Sequence, residues 1–359
     1  MSFDPTAEPP LLTADLPGIG GRIKVQPEDF EVEEIPAYEP RGHGEFLYLW
    51  IEKRAMGADY FTRQVARRLG LAPGEVGTAG LKDRHAVTRQ MVSVPARAEA
   101  RLPQLDGDGI RLLRVGRHTN KLRPGHLHGN RFRILLRNVE PTASKRLGPL
   151  LDRLRQTGLP NFYGPQRFGH GGETAHAGFA LLRGEPPLAS ASGRRLNGRD
   201  KFLRKLAVSA AQAALFNHYL ARRMADGLLR RVLPGDVMGK WPAGGLFVVE
   251  DVEREQARFD ARETVHTGPV FGRKTFPAAA EAAAREADVL REAGLSANVW
   301  ERFGKLAQGT RRHNLVYVAD LAARAEAEGI CLTFTLPAGS YATVLLRELT
   351  RTALEEEVA

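Results

Sequence analysis

The chain has 359 residues, enough for roughly two or three domains with at least one sizeable core. Hydrophobic residues make up 43% and charged residues 26%, an ordinary globular balance, and there is no run of about 18 apolar residues that would suggest a membrane span. One cysteine, Cys331, excludes an internal disulfide framework and thiolate zinc clusters. The start, "MSFDPTAEPPLLTADLPG", is acidic and Pro-rich and lacks the regions of a signal peptide, so a cytoplasmic protein is expected. A net charge of +10 favours a polyanionic partner through counterion release, although an arginine-rich soluble enzyme carries the same surplus.

The first third reads mainly as strands. "GRIKV" (Gly21 to Val25) and "FEVEEI" (Phe30 to Ile35) alternate, and "GEFLYLWIEK" (Gly44 to Lys53) is apolar on both faces, as in a buried central strand. In "GADYFTRQVARRLG", Phe61, Val65 and Leu69 share a helical face and Gly70 supplies the stop. "RQMVSVP", "GIRLLRVG" and "GNRFRILLRNV" are further strands, and "KRLGPLLDRLRQTG" is a helix ending at Gly158. The middle changes character. An Ala-rich helix is expected from Asp200 to Gly227 with Leu203, Leu206, Ala210, Ala213 and Leu220 on one face, then Gly/Pro-rich loops such as "VLPGDVMGKWPAGG", then a helix over about Pro277 to Ala293. The end returns to a strand, "CLTFTLP", and a helix that starts near Gly339 and Ser340 and buries Leu345, Leu346 and Leu349. A β-rich start, a helix-rich middle and a β-then-α tail suggest an insertion that makes the first domain discontinuous.

The chemistry concentrates in "TAGLKDRHAVTRQMVSVP" (Thr78 to Pro95). Lys82, Asp83, Arg84 and His85 follow a glycine and precede a strand, where a rigid sheet can present a loop side chain. Cations beside Asp83 favour an ionised carboxylate. Such a group can act as nucleophile, general base or metal ligand, or simply belong to a solvated turn whose charges pair with each other. Other motifs fail. "GPVFGRKT" has the wrong spacing for a phosphate loop, "GIGG" lacks a strand and helix around it, and His126 and His128 lack a third ligand at metal spacing. "GRHTNKLRPGHLHGNRFRI" interleaves cations, Lys121 and Arg123 among them, with Gly and His, and "PNFYGPQRFGHGG" sets aromatics beside Gln166 and Arg167; both patterns suit bases and phosphates of RNA. The second also fits a hinge packed between two domains.

"PEDFEVEE", "AGLKDRHAVTRQ", "NKLRPGHLHGNRF", "NFYGPQRFGHGG" and "LPAGSYATVLLREL", in this order, resemble the TruD family of tRNA pseudouridine 13 synthases over about Gly18 to Leu349. The resemblance implies an α+β fold: a pseudouridine synthase core, with a mixed, mainly antiparallel sheet and flanking helices, formed by 1–159 and 316–359. A helix-rich TRUD domain is inserted at 160–315. It also implies isomerisation of a tRNA uridine without metal or other cofactor, with Asp83 as the catalytic aspartate. By the same matches Phe30 lines the uridine pocket, Asn130 hydrogen-bonds the target nucleotide and Tyr341 stacks on the uracil, at a position where the family often carries Phe. Lys82, Arg84, His85, Lys121, Arg123, Gln166 and Arg167 are the expected RNA contacts. The expected partner is tRNA, with no membrane association, no obligate protein partner and a monomeric state. A non-catalytic RNA-binding protein on the same scaffold, or a hydrolase pairing Asp83 with a histidine, are the alternatives.

Overall fold

Strand-like alternation in the first third places Phe30, Val32 and Glu34 on one face of a strand and Glu31 and Glu33 on the other, and the fold follows from that division. The computed structural model describes residues 3–80, 82–186 and 201–352. The chain begins with β1 (Gly20–Arg22), β2 (Phe30–Pro36), β3 (Phe46–Arg54), α1 (Ala58–Leu69), β4 (Gly77–Thr78), β5 (Val87–Pro95), β6 (Ile110–His118), β7 (Leu127–Val139) and α2 (Ala143–Thr157). Next come β8 (Leu159–Pro160), α3 (Glu173–Arg183), α4 (Lys201–Ala225), β9 (Val237–Lys240), β10 (Leu246–Val248), α5 (Val252–Asp260), β11 (Thr264–Val270), α6 (Ala280–Glu292) and β12 (Thr310–His313). The chain returns through β13 (Leu315–Val316), β14 (Ala319–Glu326), β15 (Gly329–Pro337) and α7 (Ala342–Thr350).

Among the described residues the main sheet runs β14-β15-β7-β2-β5-β3-β6, with β1 added on β7 and β4 on β5. All its pairings are antiparallel except β2 with β5. One face buries Phe30, Val32, Phe132, Ile134, Leu332, Phe334 and Leu336 against α2 and α7, and Leu47, Leu49, Ile51, Val92 and Val94 against α1. The opposite face carries a ladder of ion pairs: Arg89 with Glu31 and Glu52, Arg111 with Glu52, Arg131 with Glu33, and Arg133 with Glu31 and Glu326. Each pair is worth little in water, but cross-strand pairing keeps an open face polar and neutral.

Several expectations need revision. The strand expected over Gly21 to Val25 stops at Arg22, because Lys24 takes a left-handed φ of +56°. Strand β14 is absent from the sequence reading, since "ADLAARAE" is charged and Ala-rich and follows helical propensity. "VLPGDVMGKWPAGG", read as loop, contains β9, and the middle holds a four-stranded antiparallel sheet, β10-β9-β11-β12, beside its helices. The strands of that sheet are too short and too interrupted by Gly and Pro to show alternation. In α4, Leu206 is 39% exposed, while Ala207, Ala210, Ala211 and Ala214 are buried. Asp200, the expected start of that helix, lies outside the described residues. Small residues let α3 and α4 approach closely: a Cβ on Gly178 would sit 2.1 Å from the carbonyl of Ala207.

The chain leaves the main sheet at β8 and comes back at β13, and these two short strands pair with each other, Leu159 with Val316 and Pro160 with Leu315. Next to them Asn161 donates from Nδ2 to the His313 carbonyl at 2.9 Å. Arg312 donates to the Asn161 carbonyl and Oδ1 at 2.9 and 2.7 Å.

Candidate active site

Asp83 sits in the loop that feeds β5, close to the start of β2, because β2 and β5 run parallel with Glu31 opposite Val87. Gly80 precedes it. Its backbone is not in the left-handed region, and a Cβ there would meet the Lys82 ammonium at 3.3 Å, a close contact that a small shift of that side chain relieves. The Asp83 carboxylate is exposed, 42% of the side chain meeting solvent, and its ionic partner is Lys24, with Nζ 3.5 Å from Oδ1. The same ammonium lies over the Phe30 ring, 4.6 Å from the centroid, so Phe30, carboxylate and cation form one unit. In the sequence Lys24 lies in the strand-like "GRIKV", where nothing marks it as the partner of Asp83. Its left-handed backbone, a conformation that costs roughly 1–3 kcal/mol outside glycine, marks the position as constrained.

The sequence suggests Lys82 both beside the Asp83 carboxylate and on RNA. It occupies neither place. Its ammonium turns inward to Glu34 at 2.8 Å, with side-chain exposures of 4% and 0%. Glu34 also accepts from the Met91 N–H at 3.4 Å. The pair therefore ties the loop to the core face of β2. Glu34 lies in the alternating "FEVEEI", and a carboxylate that follows Phe30 and Val32 on the buried side of a strand is a legible signal of a buried partner.

Opposite Glu34 on β7 lies Asn130, and Asn130 faces Leu336 of β15 on its other side. Asn130 Oδ1 is buried and has no hydrogen-bond partner among the described residues; the same holds for Thr88 Oγ1 and Gln90 Oε1 on β5. Buried polar atoms are normally paired, so these acceptors fit a site completed by water or ligand. Phe30, at the start of β2, is 1% exposed and packs edge-to-face on Phe132 at 6.2 Å.

Tyr341 follows β15 and takes the N-cap position of α7. Burial pushes its phenol above the ordinary value, opposed by the charges of Arg167 and Arg312. Its ring meets Tyr163 edge-to-face at 5.9 Å, and the Arg312 guanidinium lies over Tyr163 at 4.1 Å. Gly164 beside Tyr163 admits no side chain, because a Cβ would fall 2.4 Å from Gln166 Oε1 and 2.9 Å from the Tyr341 ring. Ser340 donates to Asn161 Oδ1 at 3.1 Å. The "NFYGPQRFG" segment thus cradles the tyrosine. Gln166 accepts weakly from Thr343 at 3.4 Å, and Arg167 donates to Ser209 and lies 5.8 Å over Tyr163, so both are drawn into this packing. Among the expected RNA contacts, Arg84, His85 and Arg123 are exposed with no side-chain partner among the described residues, whereas Lys121 is half-buried and donates to the Gly74 carbonyl. His126 Nδ1 lies 2.6 Å from the Tyr38 hydroxyl.

The family model described as tRNA pseudouridine synthase D (TruD) matches residues 8–192 and 195–349. The chain belongs to this family. A tRNA pseudouridine synthase D from Anaeromyxobacter sp. (strain Fw109-5) is 45% identical over 346 residues, covering 96% of this chain and 97% of the relative. One from Thermus thermophilus is 44% identical over 341 residues, covering 95% and 91%. The crystal structure of a putative TruD from Methanosarcina mazei superposes with a TM-score of 0.77 at 26% identity, covering 97% of both chains. The α+β architecture with a mainly antiparallel sheet is therefore that of the TruD family.

The inward turn of Lys82 has a stability consequence. Lys82→Met strands the Glu34 carboxylate in the core and is expected to lower unfolding free energy by about 3–5 kcal/mol, with most of it regained in Lys82→Met/Glu34→Leu. Denaturant unfolding measures this. An unchanged midpoint for the single variant would show that the pair does not anchor the loop.

Proposed function

We propose that this chain converts the uridine at position 13 of tRNA to pseudouridine, with Asp83 as the catalytic carboxylate. It is an isomerase of tRNA, in keeping with its family and its curated relatives. The observation that carries the assignment of Asp83 is the exposed carboxylate paired with Lys24 over Phe30.

The reaction breaks the N1–C1′ bond, turns the uracil and joins C5 to C1′. The C5 proton leaves and N1 gains one, so atoms balance within the nucleoside and water, and no external electrons are needed. Asp83 acts in one of three ways: by attack on C1′, by attack on C6, or as the base that removes a ribose proton to give a glycal. Each needs a carboxylate close to the sugar. The Lys24 ammonium complements the negative charge of the exposed carboxylate. Asn130 Oδ1 accepts from the uracil N3–H or a ribose hydroxyl, and Tyr341 stacks on the base. The target must first leave its stack at a cost of a few kcal/mol, offset by contacts elsewhere on the tRNA.

Those contacts come from an inserted domain at 160–315 facing a core of 1–159 and 316–359. Support for this division comes from the β8–β13 pairing at its two boundaries and from a four-stranded sheet contributed wholly by the middle of the chain. The tRNA lies between the two parts, with Arg84, His85 and Arg123 on its phosphates. No helix among the described residues is long and apolar enough to cross a membrane. The enzyme works as a cytoplasmic monomer.

Release of tritium from C5-labelled uridine in tRNA tests the reaction. Asp83→Asn and Asp83→Ala abolish release while leaving tRNA affinity near wild type; substantial turnover by either, or liberation of free uracil, would overturn the assignment. Tyr341→Phe keeps turnover within about tenfold if stacking is its role, whereas a loss beyond about a hundredfold would make its hydroxyl a proton carrier. Charge reversal of Arg123 weakens tRNA binding and reduces the slope of log affinity against log salt by about 0.7–0.9 for the phosphate no longer neutralised. Unchanged affinity would remove that segment from the RNA surface.

A further inference from the structure

The core face of β3 reads Leu47, Leu49, Ile51 and then Lys53, a lysine where the pattern calls for another apolar residue. Lys53 is fully buried. No carboxylate pairs with it among the described residues. Its ammonium instead donates to three backbone carbonyls: those of Met56, of Asp83 at 3.0 Å and of Lys82 at 3.5 Å. Two of the three belong to the loop that presents Asp83. A buried ammonium without a counter-ion carries a heavy desolvation cost, and an apolar side chain of similar length would serve the core better.

We propose that Lys53 is a positioning residue whose ammonium grips the backbone of the Asp83 loop from beneath and so sets the direction of the catalytic carboxylate. The proposal deepens the assignment of Asp83 and rests on it. The surroundings support it. Thr88 on β5 and Ile110 on β6 lie opposite Lys53, both uncharged, and Phe61 on α1 has its ring 5.9 Å away. Arg89 and Glu52 pair with each other on the far face of the sheet. The charges that reach Lys53 are therefore those of the loop itself, Lys82 and Asp83, with Lys24 beyond Asp83. Burial, helped by Lys82 and opposed by Asp83, lowers the Lys53 ammonium from 10.5 to about 8.

The sign of the linkage separates positioning from stability. Below about pH 8 Lys53 is charged in both the folded and unfolded chain, and the grip is in place. Between about 8 and 10.5 the folded protein gives up a proton that the unfolded chain keeps, so this group's contribution to stability rises with pH while the loop loses its clamp. Activity and stability are driven in opposite directions by one titration.

The test uses the full chain with C5-tritiated tRNA. Lys53→Met should fold with an unchanged or higher Tm, lose about a hundredfold in kcat as expected for a misplaced catalytic group, and keep its KM for tRNA. Wild-type kcat should fall as pH rises through about 8, and that limb should be missing from Lys53→Met. The uracil N3–H titrates in both proteins and cancels in the comparison. A Lys53→Met protein with wild-type kcat, or with the same alkaline limb, would overturn the proposal. Asp83→Asn is run alongside: turnover there would defeat the assignment of Asp83, whereas a dead Asp83→Asn beside a fully active Lys53→Met would defeat the clamp alone. Should Lys53→Met not fold, hydrogen exchange of wild-type residues 79–88 decides. After correction for base catalysis, protection should fall as pH passes about 8, and constant protection would overturn the proposal.

Discussion

Glu34 on the core face of the central strand β2 and Lys82 on the loop between β4 and β5 neutralise each other at 2.8 Å, almost wholly shielded from water. The arrangement of the candidate site depends on that pair. A buried ion pair adds little to stability against apolar replacements, yet removal of one partner is costly, which makes it a device for fixing geometry. Here it fixes the loop against β2 at the level of Asn130, through the cross-strand register of β2 and β7. Asp83, the next residue, is thereby turned outward to Lys24. Two adjacent side chains of opposite charge thus take opposite roles, one held in the core and one presented at the surface.

The aromatic side of the site is fixed by other means. Tyr341 has no buried charge of its own to hold it. It is wedged between α7 and the segment that leaves the main sheet, where Asn161 accepts from both Arg312 and Ser340. Arg312 comes from the last strand before the chain returns, so the two crossings between the sheets meet in one hydrogen-bonded cluster with Ser340, the residue before the tyrosine. A shift of the middle of the chain against the main sheet would move Tyr163 and Arg312 relative to Tyr341.

Much of this was legible in the sequence. The strands β2, β3, β5 and β7 and the helices α1 and α2 follow from periodicity and end signals, and the quoted motifs carried the family and the loop of Asp83. The partners of Asp83 were not legible. Proximity in sequence pointed to Lys82, Arg84 and His85, but a side chain's direction is set by packing, and the cation that reaches the carboxylate arrives from a left-handed residue before β2. Lys53 and Glu34 ended apolar alternations and were visible as anomalies, though what they bind is a matter of tertiary contact. The basic surplus was a correct hint with a hidden correction. Arg89, Arg111, Arg131 and Arg133 are consumed in pairs across the sheet, whereas Arg84 and Arg123 stand exposed in loops with no side-chain partner among the described residues.

The reaction proposed for this chain needs a carboxylate aimed at an extruded nucleoside by a loop anchored from below. The most direct measurement is a crystal structure of the protein with tRNA carrying 5-fluorouridine at the target position. The expected result is the flipped nucleoside between Tyr341 and Asn130, with an Asp83 oxygen within about 3.5 Å of C1′, C2′ or C6. A nucleoside bound between Tyr341 and Asn130 with Asp83 still turned to solvent, out of reach of both sugar and base, would contradict it.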